Sequence, residues 1–282
     1  MNRPKVKTAL IALLAALVVS FGFAQSTLEH YQQNGITIGT ANEIPYGWVD
    51  GGVAQGISPD VLTAVLNNLG ITDIRWTVTE FGSLIPGVIA NRFDIVAASQ
   101  AVLPARCEQV AFSKINDSYG EGFLVLAGNP RNIHSYDDFV NNSSLRMGIV
   151  SGADQLDFAQ SYGISENQLV MLNANADAPS ALTAGRIDAY AATGLTVVGL
   201  ADGNDRVEAA AEFVDPVVEG EAVRSYGAFT FNQNSEFLEV FNQALAEFHE
   251  TAEYREILKS YGLTDQDVDA ALAMTTEEAC TP

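Results

Sequence analysis

The chain has 282 residues, 14 of them Lys or Arg against 35 Asp or Glu, for a net charge of −21. So acidic a surface excludes nucleic acid and anionic lipid as partners, because both need concentrated positive charge. The length allows one large or two small domains.

At the start, MNRPKVK places three basic residues before the apolar run TALIALLAALVVSFGFA, which ends in small residues at Gly22 and Ala24. This is the pattern of a cleavable secretion signal over residues 1–24, so the fold is read from residue 25 onward and the protein is expected in the periplasm. No later stretch approaches the roughly 20 continuous apolar residues of a membrane helix.

GITIGT (35–40) predicts a strand, and ANEIPYGWVD (41–50) follows it with an acid, Glu43, and two large rings, Tyr46 and Trp48. SPDVLTAVLNNLG (58–70) predicts a helix capped by Ser58, with Pro59 in its first turn and Gly70 at its stop. IRWTVTE, SLIPGVIAN and FDIVAAS then read as strand, helix and strand, and such alternation implies an α/β fold with parallel pairing.

The chain repeats itself. ANRFDIVAAS and TAGRIDAYAAT align so that Arg92 matches Arg186, Asp94 matches Asp188 and Ser99 matches Thr193. A Gly-stopped helix and a strand precede each copy, so two similar α/β lobes are expected. Asp94 and Asp188 read as structural residues at strand entry. GEGFLVLAGNP (120–130) and VRSYGAFTFN (223–232) are extended segments flanking the second copy. One lobe is therefore expected to comprise residues 25–123 and 226–282, and the other 124–225, with two crossings serving as a hinge. From Ser235 onward the chain reads as helical.

Cys107 and Cys280 are the only cysteines. An even count in an exported chain favours a disulfide between them, with two free thiols as the alternative. His30, His134 and His249 are scattered without metal-ligand spacing, and no nucleophile elbow, phosphate loop or HExxH stands in the sequence. No metal, cofactor or catalytic group is expected. Arg106 follows Pro104 at a predicted helix start, where a cation opposes the helix dipole, so an anionic partner is expected for it.

ANE-x-PYG, TEFG-x-LIPG, RFD-x-VAA, P-x-RC, GE-x-FLV and GNP together resemble the solute-binding proteins of ABC importers, family 3, of the polar amino-acid-binding type. Within that family the pattern is most similar to the ectoine/hydroxyectoine-binding members, over residues 35–130, with GRIDAYAATGLTV and SYGAFTF extending it. The resemblance implies a type II periplasmic binding protein fold, each lobe a mostly parallel sheet flanked by helices. It also implies a monomer that captures a small zwitterionic solute between the lobes and hands it to membrane permease subunits. Under the resemblance Glu43 accepts N–H groups, Tyr46 and Phe81 wall a cation cage, and Arg106 forks onto a carboxylate. Ser99 joins them from the first lobe, and Asp154, Thr193 and Gly194 from the second.

Three positions depart from the family pattern. Ala101 stands where a third ring is supplied, Leu103 where threonine is usual, and Asp154 where threonine is common. Trp48, Tyr119 or Tyr190 are candidates to replace the missing ring, although Trp48 reads better as lobe packing. Asp154 reads better as an N-cap than as a ligand group. A polar or cationic amino acid is the alternative solute, and a dehydratase on the same fold is a third reading.

Overall fold

A computed structural model describes residues 26–218 and 220–281. The predicted secretion signal, 1–24, lies outside the described residues. Helix α1 (26–34) leads into β1 (Ile36–Thr40), the short hairpin β2 (Trp48–Asp50) and β3 (Val53–Gln55), helix α2 (Ile57–Asn68) and β4 (Ile74–Val78). A 3₁₀ turn at Phe81–Ser83 opens α3 (Leu84–Ile89), followed by β5 (Ile95–Ala101), α4 (Pro104–Cys107) and β6 (Ala111–Tyr119).

The second lobe runs β7 (Glu121–Leu126), α5 (Tyr136–Asn141), β8 (Met147–Val150), α6 (Gln155–Ser161), β9 (Leu169–Leu172), α7 (Ala178–Thr183), β10 (Ala189–Thr193), α8 (Gly194–Ala201) and β11 (Val207–Ala209). A small ladder, β12 (Val217–Val218) with β13 (Glu221–Ala222), precedes the return strand β14 (Ser225–Phe231). Helices α9 (Leu238–His249), α10 (Ala252–Ser260), α11 (Asp265–Ala273) and α12 (Thr276–Ala279) close the chain.

Each lobe has a five-stranded sheet, ordered β4-β1-β5-β14-β6 in the first and β11-β7-β10-β8-β9 in the second. In the first, β1 pairs parallel with β4 and β5, while β14 is antiparallel to both its neighbours. In the second, β10 and β9 pair parallel with β8, and β7 is antiparallel to β10 and β11. The reversed strand in each sheet is thus the one that enters from the other lobe.

Both faces of each sheet are covered, as parallel pairing demands. Successive residues of β5 feed opposite cores: Ile95 and Ala97 pack with α2, α9 and α10, whereas Val96 and Ala98 pack with α3 and the C-terminal helices. β10 divides its residues the same way, Ala189 and Ala191 to one side and Tyr190 and Ala192 to the other. On α2 the apolar stripe Val61, Leu62, Val65 and Leu66 is fully buried, and Gly70 ends the helix with φ +76°.

The sequence repeat is a structural repeat. Asp94 accepts the backbone N–H of Thr37 and Asp188 that of Arg146, each at 2.8 Å, just before the strand it introduces. The preceding helices end with matching backbone bonds, Arg92 N–H to Gly87 and Arg186 N–H to Ala181, at 3.0 and 2.8 Å.

Two expectations need correction. The crossing falls at Gly120, between β6 and β7, and the return lies before Ser225, so Phe123 belongs wholly to the second lobe and Ser225 to the first-lobe sheet. An unbroken extended run carries no mark of where a strand changes sheets. Ser58 does not cap α2; Gly56 holds that position and Ser58 sits inside the first turn, its hydroxyl accepting the N–H of Ser99 at 2.8 Å.

Cys107 and Cys280 form a disulfide across a sequence separation of 173 residues, tying α12 to α4.

Candidate functional site

The C-terminal ends of β1 and β5 and the N-terminal ends of α6 and α8 meet between the lobes. This is the crevice where open α/β sheets take ligands. The enclosed space there is narrow, about 20 Å³, and Glu43, Tyr46, Phe81, Ser99, Tyr119, Gln155 and Thr193 line it with Ala98, Val150 and Ala153.

Glu43 is held by a local bridge in which it and Gly47 exchange backbone N–H···O bonds at 2.8 Å. Its Oε1 accepts the Thr196 hydroxyl at 2.8 Å, from α8 of the opposite lobe. The residue is half-buried at the rim, yet enough protein surrounds its carboxyl that burial pushes the pKa to about 7; the negative charge of Asp154 adds to this, against the Thr196 hydrogen bond.

Three rings supply the walls. Tyr46 is 2% exposed and meets Tyr119 edge-on, with ring centroids 5.1 Å apart. Among the described residues the buried Tyr46 hydroxyl has no well-aligned hydrogen-bond partner, and the nearby Thr193 side chain only partly offsets the rise in its pKa that burial causes. Phe81 contacts a core cluster of each lobe, so its ring spans the cleft. Tyr119 also lines the space, and its hydroxyl donates to the Ser99 carbonyl at 3.0 Å. Trp48 packs instead against Tyr261, and Tyr190 donates its hydroxyl to Asn175 inside the second lobe.

Ser99 adopts φ +44°, a left-handed conformation uncommon outside glycine. Its neighbours hold it there: the N–H goes to Ser58, and its hydroxyl donates to Asp117 at 2.9 Å.

Arg106 stands apart from the lining residues. Its guanidinium lies over the Phe81 ring, 6.0 Å from the centroid. It donates to the Ala101 carbonyl and, across the cleft, to the Gly152 carbonyl, both at 2.8 Å. Its hydrogen bonds thus go to two carbonyls, one from each lobe, while the Asp157 carboxylate feels its charge. Five donors on one planar group leave N–H capacity beyond these two bonds.

Asp154 occupies the N-cap position of α6 but does not cap it. Its backbone is already helical (φ −67°, ψ −21°), which aims the side chain away from the first-turn N–H groups. The carboxylate accepts the Ser225 hydroxyl at 2.9 Å, at the start of the return strand. Thr193 does cap α8, accepting the Thr196 N–H at 3.3 Å. Gly194 commits its N–H to the Gly120 carbonyl at 2.9 Å and serves the hinge.

Several site residues escaped the sequence reading. Thr196 stands one helical turn after Thr193, a spacing that marks a shared face. Gln155 donates to Glu121 at 2.6 Å, and burial together with Asp154 raises the Glu121 carboxyl well above the usual range. Asn175, Ser58 and Asp117 come from segments with no motif. Among the described residues no group of His, Cys, Asp and Glu has the makings of a metal site, and no helix is long and apolar enough to cross a membrane.

Residues 36–264 match the bacterial extracellular solute-binding proteins, family 3. The chain belongs to this family. It is 45% identical, over 98% of its length and 94% of the other, to the probable amino-acid ABC transporter periplasmic-binding protein y4tE of Sinorhizobium fredii (strain NBRC 101917 / NGR234). It is 23% identical to the arginine-binding extracellular protein ArtP of Bacillus subtilis (strain 168), over 89% of this chain and 96% of that one. Its fold is similar to that of EhuB crystallised with hydroxyectoine, with a TM-score of 0.81, 29% identity, and 90% and 97% of the two chains covered. As a member of family 3 it is a two-lobed solute-binding receptor of an amino-acid-type ABC transporter, a binding protein rather than an enzyme. Proteins of this family are extracytoplasmic and deliver small solutes to ABC permeases.

Proposed function

We propose that the receptor captures a small zwitterionic solute carrying a delocalised cation, of the ectoine or hydroxyectoine kind, in the periplasm. The observation that carries this reading is the juxtaposition of Tyr46, Phe81 and Tyr119 with the Glu43 carboxylate around one small space. A spread, weakly hydrated cation gains on the order of 1 kcal/mol or more from each desolvated ring face. The acid supplies a charge-assisted acceptor for its N–H groups. Arg106, whose fork suits a planar anion, would receive the solute carboxylate by exchanging one of its carbonyl bonds for it. EhuB, with its bound hydroxyectoine, lends support through its fold and identity.

A polar or cationic amino acid is the second reading. Glu121 and Asp154 stand behind Gln155 without a cationic partner among the ion pairs of the described residues, which suits a solute with a further positive group. The named curated relatives are also described as amino-acid or arginine binders.

Isothermal calorimetry with ectoine, hydroxyectoine, glycine betaine, arginine, histidine and lysine separates the two. Micromolar binding, about −8 kcal/mol, to the cyclic zwitterions alone is the expected result. Tighter binding of a basic amino acid would transfer the assignment to the second reading.

A further inference from the structure

Behind the cavity wall lies a carboxylate that the site as described does not use. Asp117, on β6, is fully buried. Its Oδ2 accepts two hydrogen bonds, from the Ser99 hydroxyl at 2.9 Å and from Asn116 Nδ2 at 2.8 Å. Its Oδ1 has no hydrogen-bond partner among the described residues. No Lys or Arg forms an ion pair with it among the described residues. A buried carboxylate without a countercharge is costly, and structures keep few such groups without a reason.

The groups facing Asp117 leave it no internal compensation. β5 contributes the Ser99 hydroxyl, and β14 contributes Gly227, where a Cβ would stand 2.3 Å from Asp117 Oδ1. The phenols of Tyr46, Tyr119 and Tyr254 feel its charge from the cleft loop, its own strand and α10. The nearest guanidinium bonded to β6, that of Arg224, binds Ser118 and Asp267 rather than Asp117.

The hydrogen bonds fix the direction of every proton in the chain. The Ser99 N–H donates to Ser58 Oγ, and the ionised Asp117 has only acceptors, so the Ser99 hydroxyl donates to it. The Ser58 and Ser99 hydroxyl oxygens are 2.9 Å apart, and with the Ser99 proton committed to Asp117 the donor between them is Ser58. Ser99 is a residue of the cavity lining, and its Oγ is then left with one lone pair and no proton to offer.

We propose that Asp117 is a positioning residue that, through Ser99, turns this wall of the cleft into a hydrogen-bond acceptor and so selects solutes that present an N–H group there. Its charge, relayed by one hydroxyl, is compensated when a cationic solute enters. This rests on the solute-receptor reading above, but not on which of its two solutes is bound. Burial pushes the Asp117 carboxyl to about 6, against the Asn116 and Ser99 bonds, so the acceptor state is lost as the pH falls through that value. Protonated Asp117 can itself donate to Ser99, which then turns a donor towards the solute.

The test is calorimetry, at pH 5, 6 and 7.5, on wild type, Asp117→Asn, Ser99→Ala and the double variant, with the panel solute that wild type binds most tightly. Asp117→Asn is expected to weaken binding about tenfold at pH 7.5, the scale of one hydrogen bond to a charged group. It is also expected to flatten the part of the pH profile centred near 6 while leaving the melting temperature equal or higher, because a buried unpaired charge is gone. Ser99→Ala should reproduce the loss, and the double variant should lose no more than either single one, as for residues acting in series. Asp117→Asn with wild-type affinity and an unchanged pH profile would overturn the inference alone, as would additive losses in the double variant. A wild type that binds no solute of the panel would overturn the receptor reading and this inference with it.

Discussion

Thr196 donates its hydroxyl to Glu43 Oε1 at 2.8 Å, joining the first-lobe loop after β1 to the second-lobe helix α8. With Arg106 on the Gly152 carbonyl and Phe81 in contact with both cores, it makes the cleft a closed joint. A ligand shifts such a joint only by its extra affinity for the closed form.

Thr196→Val keeps the shape of the side chain and removes this bond while Thr193 still caps α8. Solute affinity is expected to fall by roughly 1–2 kcal/mol, the scale of a hydrogen bond to a charged acceptor. Calorimetry reads the affinity, and small-angle scattering should show a more open unliganded particle.

Arg106→Ala removes both carbonyl bonds, of which the one to Gly152 crosses between the lobes, and the planar fork. Binding is expected to weaken by at least about 2 kcal/mol, the scale of losing one partner of a buried charged contact. Arg106→Lys should recover little of it, because an ammonium lacks the fork. Unchanged affinity in either variant would remove Arg106 from recognition.

Phe81→Ala tests the cage. A cationic solute should lose about 1–2 kcal/mol of binding. Equal binding of that solute by the variant, measured by calorimetry, would reduce the ring to packing.

The raised carboxyls set a pH dependence whose sign can be worked out. Glu43 titrates near 7 in the fold against an ordinary value of 4.5, so between these values the folded state holds more protons than the unfolded one. Stability of the unliganded protein should therefore decline as pH rises from about 4.5 to 7, most steeply near the middle of that window. Affinity for a cation should move the other way, rising as Glu43 ionises. Thermal melts with and without solute, across pH 4.5–8, read both slopes.

Cys107→Ser with Cys280→Ser should lower unfolding free energy by about 2–5 kcal/mol in denaturant titrations while leaving solute affinity nearly unchanged. The bond ties α12 to the first lobe, and neither cysteine lines the cavity.

Much of this molecule was legible in the chain itself, because period-2 and helical apolar patterns are local properties. The strands and helices, the two-fold repeat with its paired Asp94 and Asp188, and the gathering of Glu43, Tyr46, Phe81, Ser99 and Thr193 at strand ends and a helix start all follow from such patterns or from motifs. Tertiary structure alone decided what depends on direction and on distant partners. Ser58 became a support for Ser99 rather than a cap, Asp154 turned to Ser225 rather than to its own helix, and Tyr119 joined the cavity lining. Arg106 went to two carbonyls, one in each lobe. A side chain's partner is chosen by the backbone angle that aims it and by whatever segment folding brings opposite, and neither is written in the spacing of neighbouring residues.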